Sequence, residues 1–263
     1  MQIRKVNFSK FSSIRIGGEK EVYIINSPDE VDRLPPDTKI VGGANNLLIS
    51  PSSKIPLGQL SKNFDYIKIS PPYLHIGGAT PNGKIFNFTK YHNIAGFEFF
   101  QHLPSTLGGA IKMNAGLKEY EIFNNLVAIR TERGWIDKEN IEYSYRSTNI
   151  EGVIFEAKFK LIQGFQSHLV SIFQTMRSNQ PKEPSLGSTF KNPKEAPAGK
   201  LLEQVKLKGF RVGNMAFSLK HANFLINLGG GKFSEAVELI EIAEKRVLEE
   251  FGIELEREIE IIY

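Results

Sequence analysis

The sequence contains no cysteine and no long apolar run, and each absence excludes a class of protein. Without a thiol the chain has no disulfide, no cysteine nucleophile, no iron–sulfur cluster and no cysteine-bound zinc. Apolar residues never follow one another for the roughly 18 positions that predict a membrane-spanning helix. The first residues, MQIRKVNFSK, lack the apolar core of a signal peptide. We therefore expect a cytoplasmic protein that is not inserted into a membrane.

Charge and histidine content limit the ligands further. The 33 basic and 29 acidic residues give a net charge of +4, which suits a phosphate-bearing ligand but is too small to indicate nucleic-acid binding. The five histidines show no metal-ligand spacing, so we expect no metal centre. Hydrophobic residues make up 41% of 263 positions, which predicts about one or two globular domains with a packed core.

Strand-like runs predominate before residue 160, and helical patterns return after residue 165. One helix is predicted between Thr80, as its N-cap, and Gly96, and a second carries the apolar stripe 169–176. A third begins near Ser234 and ends at Gly252. Strands are predicted from β-branched or alternating runs bounded by turn residues, namely Lys20–Asn26, Lys39–Val41, Leu47–Ser50, Phe64–Ser70, Tyr73–Ile76, Asn125–Thr131, Val153–Leu161, Asn223–Asn227 and Ile253–Tyr263.

Glycine pairs occur at 17–18, 42–43, 77–78 and 108–109. Each pair fits an ordinary tight turn, but a strand that runs into Gly42-Gly43 also brings together bare backbone N–H groups that bind anions such as pyrophosphate. The G-x-G-x-x-G motif of a Rossmann site is absent. Gly231-Lys232 is followed by Phe233 rather than Ser or Thr, which excludes a P-loop. A nucleotide cofactor therefore needs another fold.

Five segments carry a recognisable set of motifs in a fixed order. They are GGANNLL in 42–48, PSTLGGA with NAG in 104–116, YRS in 145–147, GSTFKNP in 187–193, and LKG through HANF in 207–224. Together they resemble the signature of the UDP-N-acetylenolpyruvoylglucosamine reductase family, the flavoenzymes of peptidoglycan precursor synthesis. The resemblance extends from about Phe11 to the end of the chain.

The resemblance implies an α+β fold with two domains. Residues 1–163 would form a two-lobed FAD-binding domain of the vanillyl-alcohol-oxidase (PCMH) type. Residues 164–263 would form a smaller α+β substrate-binding domain, whose last strand, 253–263, would return near the active site. The short stretch after Gly116 resembles the compact subtype of the family, which lacks an added tyrosine loop.

The resemblance also implies the reaction of a UDP-N-acetylmuramate dehydrogenase. NADPH and non-covalently bound FAD would reduce UDP-N-acetylglucosamine enolpyruvate to UDP-N-acetylmuramate in a monomeric enzyme. By family resemblance Ser188 would donate a proton to the carbanion, Arg146 would polarise the substrate carboxylate, and Glu258 would cooperate with Arg146. Without the motifs these residues fit a turn, a surface arginine and a solvated strand face.

The remaining site residues are likewise carried over from the family motifs. Residues expected to bind substrate are Lys191, Asn192, His221 and Asn223. Residues expected to hold FAD are Gly42, Gly43, Ala44, Asn45, Asn46, Leu47, Gly77, Ala79, Pro104, Ser105, Thr106, Gly108, Gly109, Ala110, Asn114, Ala115 and Gly116.

The chain departs from the family pattern at three positions, which keeps two other functions open. Ala44 replaces the third glycine of the loop, Asn45 replaces a serine, and Ser105 stands where the family often has glycine. One alternative is a flavin oxidase of the same fold that acts on another substrate. The other is a UDP-sugar-binding protein that has lost FAD. His102, beside a glycine-rich motif, is the position at which a covalent flavin link would be considered, although the family binds FAD non-covalently.

Overall fold

A computed structural model describes residues 1–263 of the protein, apart from the side chain of His102. The chain forms nineteen short strands, which are β1 Gln2–Asn7, β2 Glu19–Ile25, β3 Lys39–Ile40, β4 Leu47–Ile49, β5 Leu57–Leu60, β6 Ile67–Ser70, β7 Tyr73–Gly77, β8 Gly116–Leu117, β9 Tyr120–Glu121, β10 Leu126–Thr131, β11 Gly134–Asp137, β12 Tyr143–Ser144, β13 Ser147–Thr148, β14 Glu156–Lys160, β15 Ser185–Ser188, β16 Arg211–Val212, β17 Met215–Phe217, β18 Phe224–Asn227 and β19 Glu260–Ile262.

Six α-helices accompany the strands, and their lengths range from one turn to five. Within the described residues, every helix is too short or too polar to cross a membrane. The helices are α1 Phe8–Phe11, α2 Asn82–Tyr91, α3 Leu107–Lys112, α4 Ser167–Met176, α5 Ala198–Gln204 and α6 Phe233–Phe251.

The chain divides into two compact units, each built from three separate segments of the sequence. The first contains Met1–Arg4, Glu21–Gly43 and Pro56–Arg177, and the second contains Lys5–Lys20, Ala44–Ile55 and Ser178–Tyr263. The second unit therefore includes two segments from the first 55 residues of the sequence. Which unit binds FAD and which binds substrate stays a prediction.

The first unit is built on a five-stranded antiparallel sheet with the order β11-β10-β14-β7-β6. Alternation along the strands puts Ile129, Phe159 and Leu74 on the buried face. These side chains join a core rich in phenylalanine, in which Phe97 and Phe159 meet edge to face at 5.1 Å. The unit also holds most of a smaller sheet with the order β1-β2-β5-β3, in which β5 runs parallel to both of its neighbours β2 and β3.

The second unit packs α5 and α6 with a four-stranded antiparallel sheet of order β15-β18-β17-β16. Helix α6 buries Ala236, Leu239, Ile240, Ala243 and Val247, which recur at the three- and four-residue spacing of one helix face. Gly252 ends the helix with a φ of 67°, as the sequence predicts. In the same unit β19 runs parallel to β4.

Two predictions of secondary structure were wrong in detail. The helix placed between Thr80 and Gly96 begins one residue later and ends at Tyr91, and the Thr80 hydroxyl donates to the carbonyl oxygen of Tyr66 instead of capping it. The last strand comprises only Glu260–Ile262, although alternation predicts it from Ile253. The other predicted strands agree with the observed ones to within three residues at each end.

Candidate functional site

Arg146 lies in the first unit, in the two-residue turn between β12 and β13. Its φ of 56° is left-handed, a conformation that usually selects glycine. The guanidinium donates one hydrogen bond to the carbonyl oxygen of Asn114 at 3.3 Å and another to that of Gly116 at 2.9 Å. It also lies 5.0 Å from the centre of the Tyr145 ring. The structure thus brings Arg146 together with two residues that the sequence assigns to FAD.

Asn114 is fully buried and holds the turn that Arg146 contacts. Its φ is 40°, and its side-chain amide donates to Glu121 Oε2 at 2.9 Å and to the carbonyl oxygen of Ser144 at 3.0 Å. The side-chain oxygen Oδ1 is buried and accepts no hydrogen bond within the described part of the chain. A buried acceptor of this kind is costly unless a ligand or water donates to it.

The glycine-rich loop that follows β3 offers unused backbone donors. The amides of Gly42, Gly43, Ala44 and Asn45 donate no hydrogen bond to any described residue. At Gly42 a Cβ atom would overlap Thr106 Oγ1, so the backbone reaches this hydroxyl only because the side chain is absent. Four consecutive amides without an acceptor fit a pyrophosphate group.

The other residues assigned to FAD have their backbone amides partly engaged. The amides of Gly77 and Ala79 donate to the carbonyl oxygens of Tyr66 and Phe64, so these two residues can contribute close approach but not N–H donation. Gly108 likewise donates to the carbonyl oxygen of Gly78. Pro104 and Ser105 precede α3, Ala110 and Ala115 are buried, Gly109 lies in α3, Leu47 begins β4, and Asn46 is described below with Glu258.

Ser188 lies in the second unit at a bulge that ends β15. Ser185 pairs with Ile226 and Ser188 with Phe224, so β15 has one more residue than β18 between these pairs. Gly187 supplies the left-handed turn of the bulge with a φ of 82°. Ser188 is half-buried, and its hydroxyl makes no hydrogen bond with the described residues. A bulge of this type re-aims a side chain and leaves its hydroxyl available.

Asn223 fixes the loop after Ser188 rather than lining a cavity. Its side-chain oxygen accepts from the amide of Phe190 at 3.0 Å, and its side-chain nitrogen donates to the carbonyl oxygen of Phe190 at 2.8 Å. Asn223 is 2% exposed and Phe190 is fully buried. The side chain predicted to bind substrate is therefore engaged by the protein backbone on both of its polar ends.

Glu258 is a neighbour of this loop. Its amide donates to the carbonyl oxygen of Thr189 at 2.9 Å, and the amide of Lys191 donates to the carbonyl oxygen of Glu256 at 2.8 Å. The side chain of Asn46 donates to the carbonyl oxygen of Glu258 at 2.9 Å. Three segments that are distant in sequence and carry predicted site residues therefore meet within the second unit.

Lys191 forms an ion pair with Glu256, whose Oε1 lies 2.5 Å from the lysine Nζ. The lysine side chain is 17% exposed, whereas the glutamate side chain is 70% exposed. A substrate phosphate that binds Lys191 would compete with this carboxylate.

A cavity of about 280 Å³ lies entirely within the second unit. Its lining includes Asn192 and His221, two of the four residues assigned to substrate, but neither Lys191 nor Asn223. Asn192 Oδ1 accepts from the amide of Ala198 at the start of α5. The lining also includes Asn179, Lys200, Glu203 and Lys220.

His221 faces this cavity as a neutral hydrogen-bond donor. Burial lowers the pKa of its imidazole, and nearby Lys208 lowers it further, while the carboxylate of Glu203 opposes this effect. Nδ1 accepts from the amide of Asn223 at 3.3 Å, so the proton of the neutral ring is carried by Nε2. The ring packs closely over Gly199, where an added Cβ would lie 3.0 Å from Cε1.

Sequence reasoning missed several cations around these residues. Lys200 and Lys220 line the cavity, yet neither is one of the matched motif residues, and only the position of Lys220 next to His221 is a signal. In the first unit, burial lowers the pKa of Arg177, and the positive charge of Arg146 lowers it further. A second guanidinium therefore lies within electrostatic range of Arg146.

Comparisons with known proteins agree with the motifs. Residues 180–262 match the family model for the C-terminal domain of UDP-N-acetylenolpyruvoylglucosamine reductase. The chain is 50% identical to the enzyme of that name from Helicobacter hepaticus, over 100% of both chains, and 46% identical to the one from Campylobacter jejuni strain RM1221, over 98% of this chain and 99% of the other.

The crystal structure of the Thermus caldophilus reductase resembles the whole chain. It superposes with a TM-score of 0.88 at 26% identity and covers 100% of both chains. The predicted fold class and the predicted family are both confirmed. The chain belongs to the UDP-N-acetylenolpyruvoylglucosamine reductase family.

Proposed function

We propose that this oxidoreductase uses NADPH and non-covalently bound FAD to reduce UDP-N-acetylglucosamine enolpyruvate to UDP-N-acetylmuramate, a step of peptidoglycan precursor synthesis. The observation that supports it most is the hydrogen bond from the Glu258 amide to the carbonyl oxygen of Thr189. Through this bond the acid and the proton donor that the family motifs select, Glu258 and Ser188, belong to one short paired segment.

The loop Gly42–Asn46 is proposed to bind the FAD pyrophosphate. The amides of residues 42–45, which have no acceptor among the described residues, supply donors, and the close approach of Gly42 to Thr106 leaves a backbone surface without side chains. Asn114 is proposed to assist, because its buried Oδ1 needs a donor. When bound, FAD supplies hydride transfer to the vinyl carbon of the substrate.

Arg146 is proposed to bind the substrate carboxylate. The hydrogen bonds to the carbonyl oxygens of Asn114 and Gly116 fix the plane of its guanidinium, so little rotamer entropy is lost on binding. Negative charge that develops beside the carboxylate during reduction is stabilised by this cation. One charge-assisted hydrogen bond contributes about 1.5–3 kcal/mol.

Ser188 is proposed to protonate the carbon next to the substrate carboxylate. A serine hydroxyl is a weak acid, but a carbanion is a strong enough base to take its proton. The bulge at Gly187 leaves the hydroxyl without a partner in the described part of the chain, as a proton donor requires. Glu258, on the facing segment, cooperates with Arg146 in stabilising the charge.

The cavity in the second unit is proposed to bind the nucleotide part of the substrate. Asn192, the Nε2–H of His221 and the two lysines 200 and 220 offer donors and positive charge for a UDP group. Lys191 is proposed to contact the diphosphate once it leaves Glu256.

Replacing Ser188 with alanine tests the assignment by separating the two halves of the reaction. In stopped-flow absorbance, NADPH should still bleach the flavin of Ser188→Ala at the wild-type rate. Reoxidation by the enolpyruvyl nucleotide should slow by roughly 10²–10⁴-fold, the usual contribution of a general acid.

Normal reoxidation of this variant would remove Ser188 from the role. Rapid oxygen consumption by the wild type without the enolpyruvyl nucleotide would instead favour an oxidase. A protein that binds no flavin would favour the UDP-sugar-binding alternative. A monomeric state and a cytoplasmic location stay predictions.

A further inference from the structure

Arg257 and Glu244 form a two-point ion pair within the second unit. Arg257 Nε donates to Glu244 Oε1 at 2.5 Å, and Nη2 donates to Oε2 at 2.7 Å. The two side chains are only 32% and 28% exposed. The paired hydrogen bonds to Glu244 raise the pKa of the Arg257 guanidinium. A two-point contact of this type fixes the direction of an arginine as well as its distance.

The position of Arg257 in the chain gives this ion pair its significance. Arg257 forms an isolated antiparallel bridge with Phe190, and the two backbone hydrogen bonds of that bridge come from Glu258 to Thr189 and from Lys191 to Glu256. Ser188 lies two residues before Phe190 in the chain. Arg257 is therefore the centre of the contact between the segment of Glu258 and the loop of Ser188.

Apart from the Asn46 hydrogen bond to the Glu258 carbonyl oxygen and the pair of Lys191 with Glu256, regular strand pairing gives this contact little support. The regular pairing of β19 starts only at Glu260, so the backbone around Glu258 is a bend rather than a strand. A single bridge lacks the cooperative ladder that keeps longer strands in register. Glu244, by contrast, belongs to the five-turn helix α6, whose neighbouring residue Ala243 is fully buried. The helix is a rigid anchor for the bend.

We propose that Arg257 and Glu244 act as positioning residues that hold the carboxylate of Glu258 in place for the reaction. The Glu258 amide makes one of the two hydrogen bonds of the bridge between Arg257 and Phe190, so anchoring Arg257 to α6 holds the backbone that carries the Glu258 carboxylate. The inference rests on the proposed role of Glu258. Neither Arg257 nor Glu244 is assigned to contact substrate or cofactor, and the pair acts through the neighbouring Glu258.

Replacing Glu244 with glutamine tests the proposal, with Glu249→Gln as the matched control. Glu249 lies on the same helix and pairs with Lys245 at 3.9 Å, with both side chains largely exposed. Glu244→Gln should lower kcat by about tenfold or more, since small misplacements of a catalytic group cost up to about a hundredfold. The rate of flavin bleaching by NADPH should not change, and Glu249→Gln should behave as wild type.

Hydrogen exchange and charge reversal supply readouts that a merely stabilising ion pair would not move. The amide of Glu258 should exchange faster with solvent in Glu244→Gln than in Glu249→Gln, because its bond to Thr189 opens more often. The double reversal Glu244→Arg with Arg257→Glu should recover part of kcat. Unchanged exchange, or no recovery in a folded double variant, would overturn the proposal.

A double-mutant cycle with Glu258→Gln separates this inference from the proposed function. If Glu244 acts through Glu258, adding Glu244→Gln to Glu258→Gln should lower kcat no further. If the two losses multiply, the ion pair does not position Glu258. If Glu258→Gln alone retains full kcat, the proposed catalytic role of Glu258 is wrong, and the Arg257–Glu244 pair then has no catalytic group to position.

Discussion

Glu256 and Glu258 provide a discriminating pair of substitutions, because they are two residues apart and have different partners. Glu256 Oε1 lies 2.5 Å from Lys191 Nζ, and the Glu256 side chain is mostly exposed. Glu258 is half-buried, and its amide is bonded to the residue after Ser188. We expect Glu258→Gln to impair the chemical step and Glu256→Gln to affect substrate binding only.

The magnitudes follow from these two environments. An amide at position 258 removes one charged hydrogen-bonding group, worth about 1.5–3 kcal/mol, which corresponds to a fall in kcat of roughly tenfold to a hundredfold. The pair of Glu256 with Lys191, in which only the carboxylate is largely exposed, is worth about 1 kcal/mol or less. Its loss releases Lys191 for the substrate diphosphate, so the KM for the nucleotide should fall by no more than about fivefold.

Stopped-flow absorbance of the bound flavin distinguishes the two effects. Bleaching by NADPH should proceed at the wild-type rate in both variants, since neither carboxylate is assigned to that step. Reoxidation by the enolpyruvyl nucleotide should slow only in Glu258→Gln. The opposite pattern, in which Glu256→Gln loses turnover and Glu258→Gln keeps it, would show that the acid was assigned in the wrong register.

Three further predictions concern the cofactor loop and the cavity. A Cβ atom at Gly42 would overlap Thr106 Oγ1, so Gly42→Ala should lower the amount of flavin bound per protein, measured from the visible spectrum. The control Gly83→Ala, whose Cβ would lie in open space, should not lower it. Equal flavin content in the two variants would refute the pyrophosphate assignment. Because burial lowers the pKa of His221, the imidazole is protonated in the unfolded chain at a higher pH than in the folded protein. As the pH falls from about 7.5 to about 5.5, the free energy of unfolding measured in urea should therefore fall more steeply for wild type than for His221→Gln. Parallel curves would contradict this. Ala44→Gly should leave the free energy of unfolding unchanged or raise it by up to about 1 kcal/mol, because the left-handed φ of 49° costs alanine about 1–2 kcal/mol. A fall of about 1 kcal/mol would show that burial of the alanine methyl group matters more than the strain.

The sequence predicts which residues belong to the candidate site better than it predicts the hydrogen-bond partners of their side chains. Ser188 and Asn46 come from separate motifs and Glu258 from the last segment of the chain, and the second unit brings their backbones together. The motif containing Asn223 predicts a cleft residue, but both ends of its side chain are bonded to Phe190. Spacing along the chain identifies a residue type at a position, whereas its hydrogen-bond partner depends on a strand pairing made more than thirty residues away.

The last segment shows why alternation misled the strand prediction. Residues 253–261 alternate apolar and polar side chains, with Arg257 as the exception, because one side of the segment is buried, as at Leu255 and Ile259. Burial of alternate residues does not require a continuous ladder, and only Glu260–Ile262 pairs with β4. The ion pair of Arg257 with Glu244 supplies the restraint that a ladder would give, and no periodicity could have predicted it.

Left-handed backbone conformations at Ala44, Asn114 and Arg146 link the fold to the proposed function. Among the described residues, eight that are not glycine have a positive φ, and these three of them are assigned to the site. At each such position the left-handed conformation costs about 1–2 kcal/mol of strain relative to glycine. In the first unit the strain is sustained by mutual contacts, since Arg146 donates to the carbonyl oxygen of Asn114 while the Asn114 amide donates to Glu121 and Ser144. The turn and the guanidinium therefore hold each other. The ordering of this cation is completed during folding, so it need not be repeated when the substrate carboxylate binds.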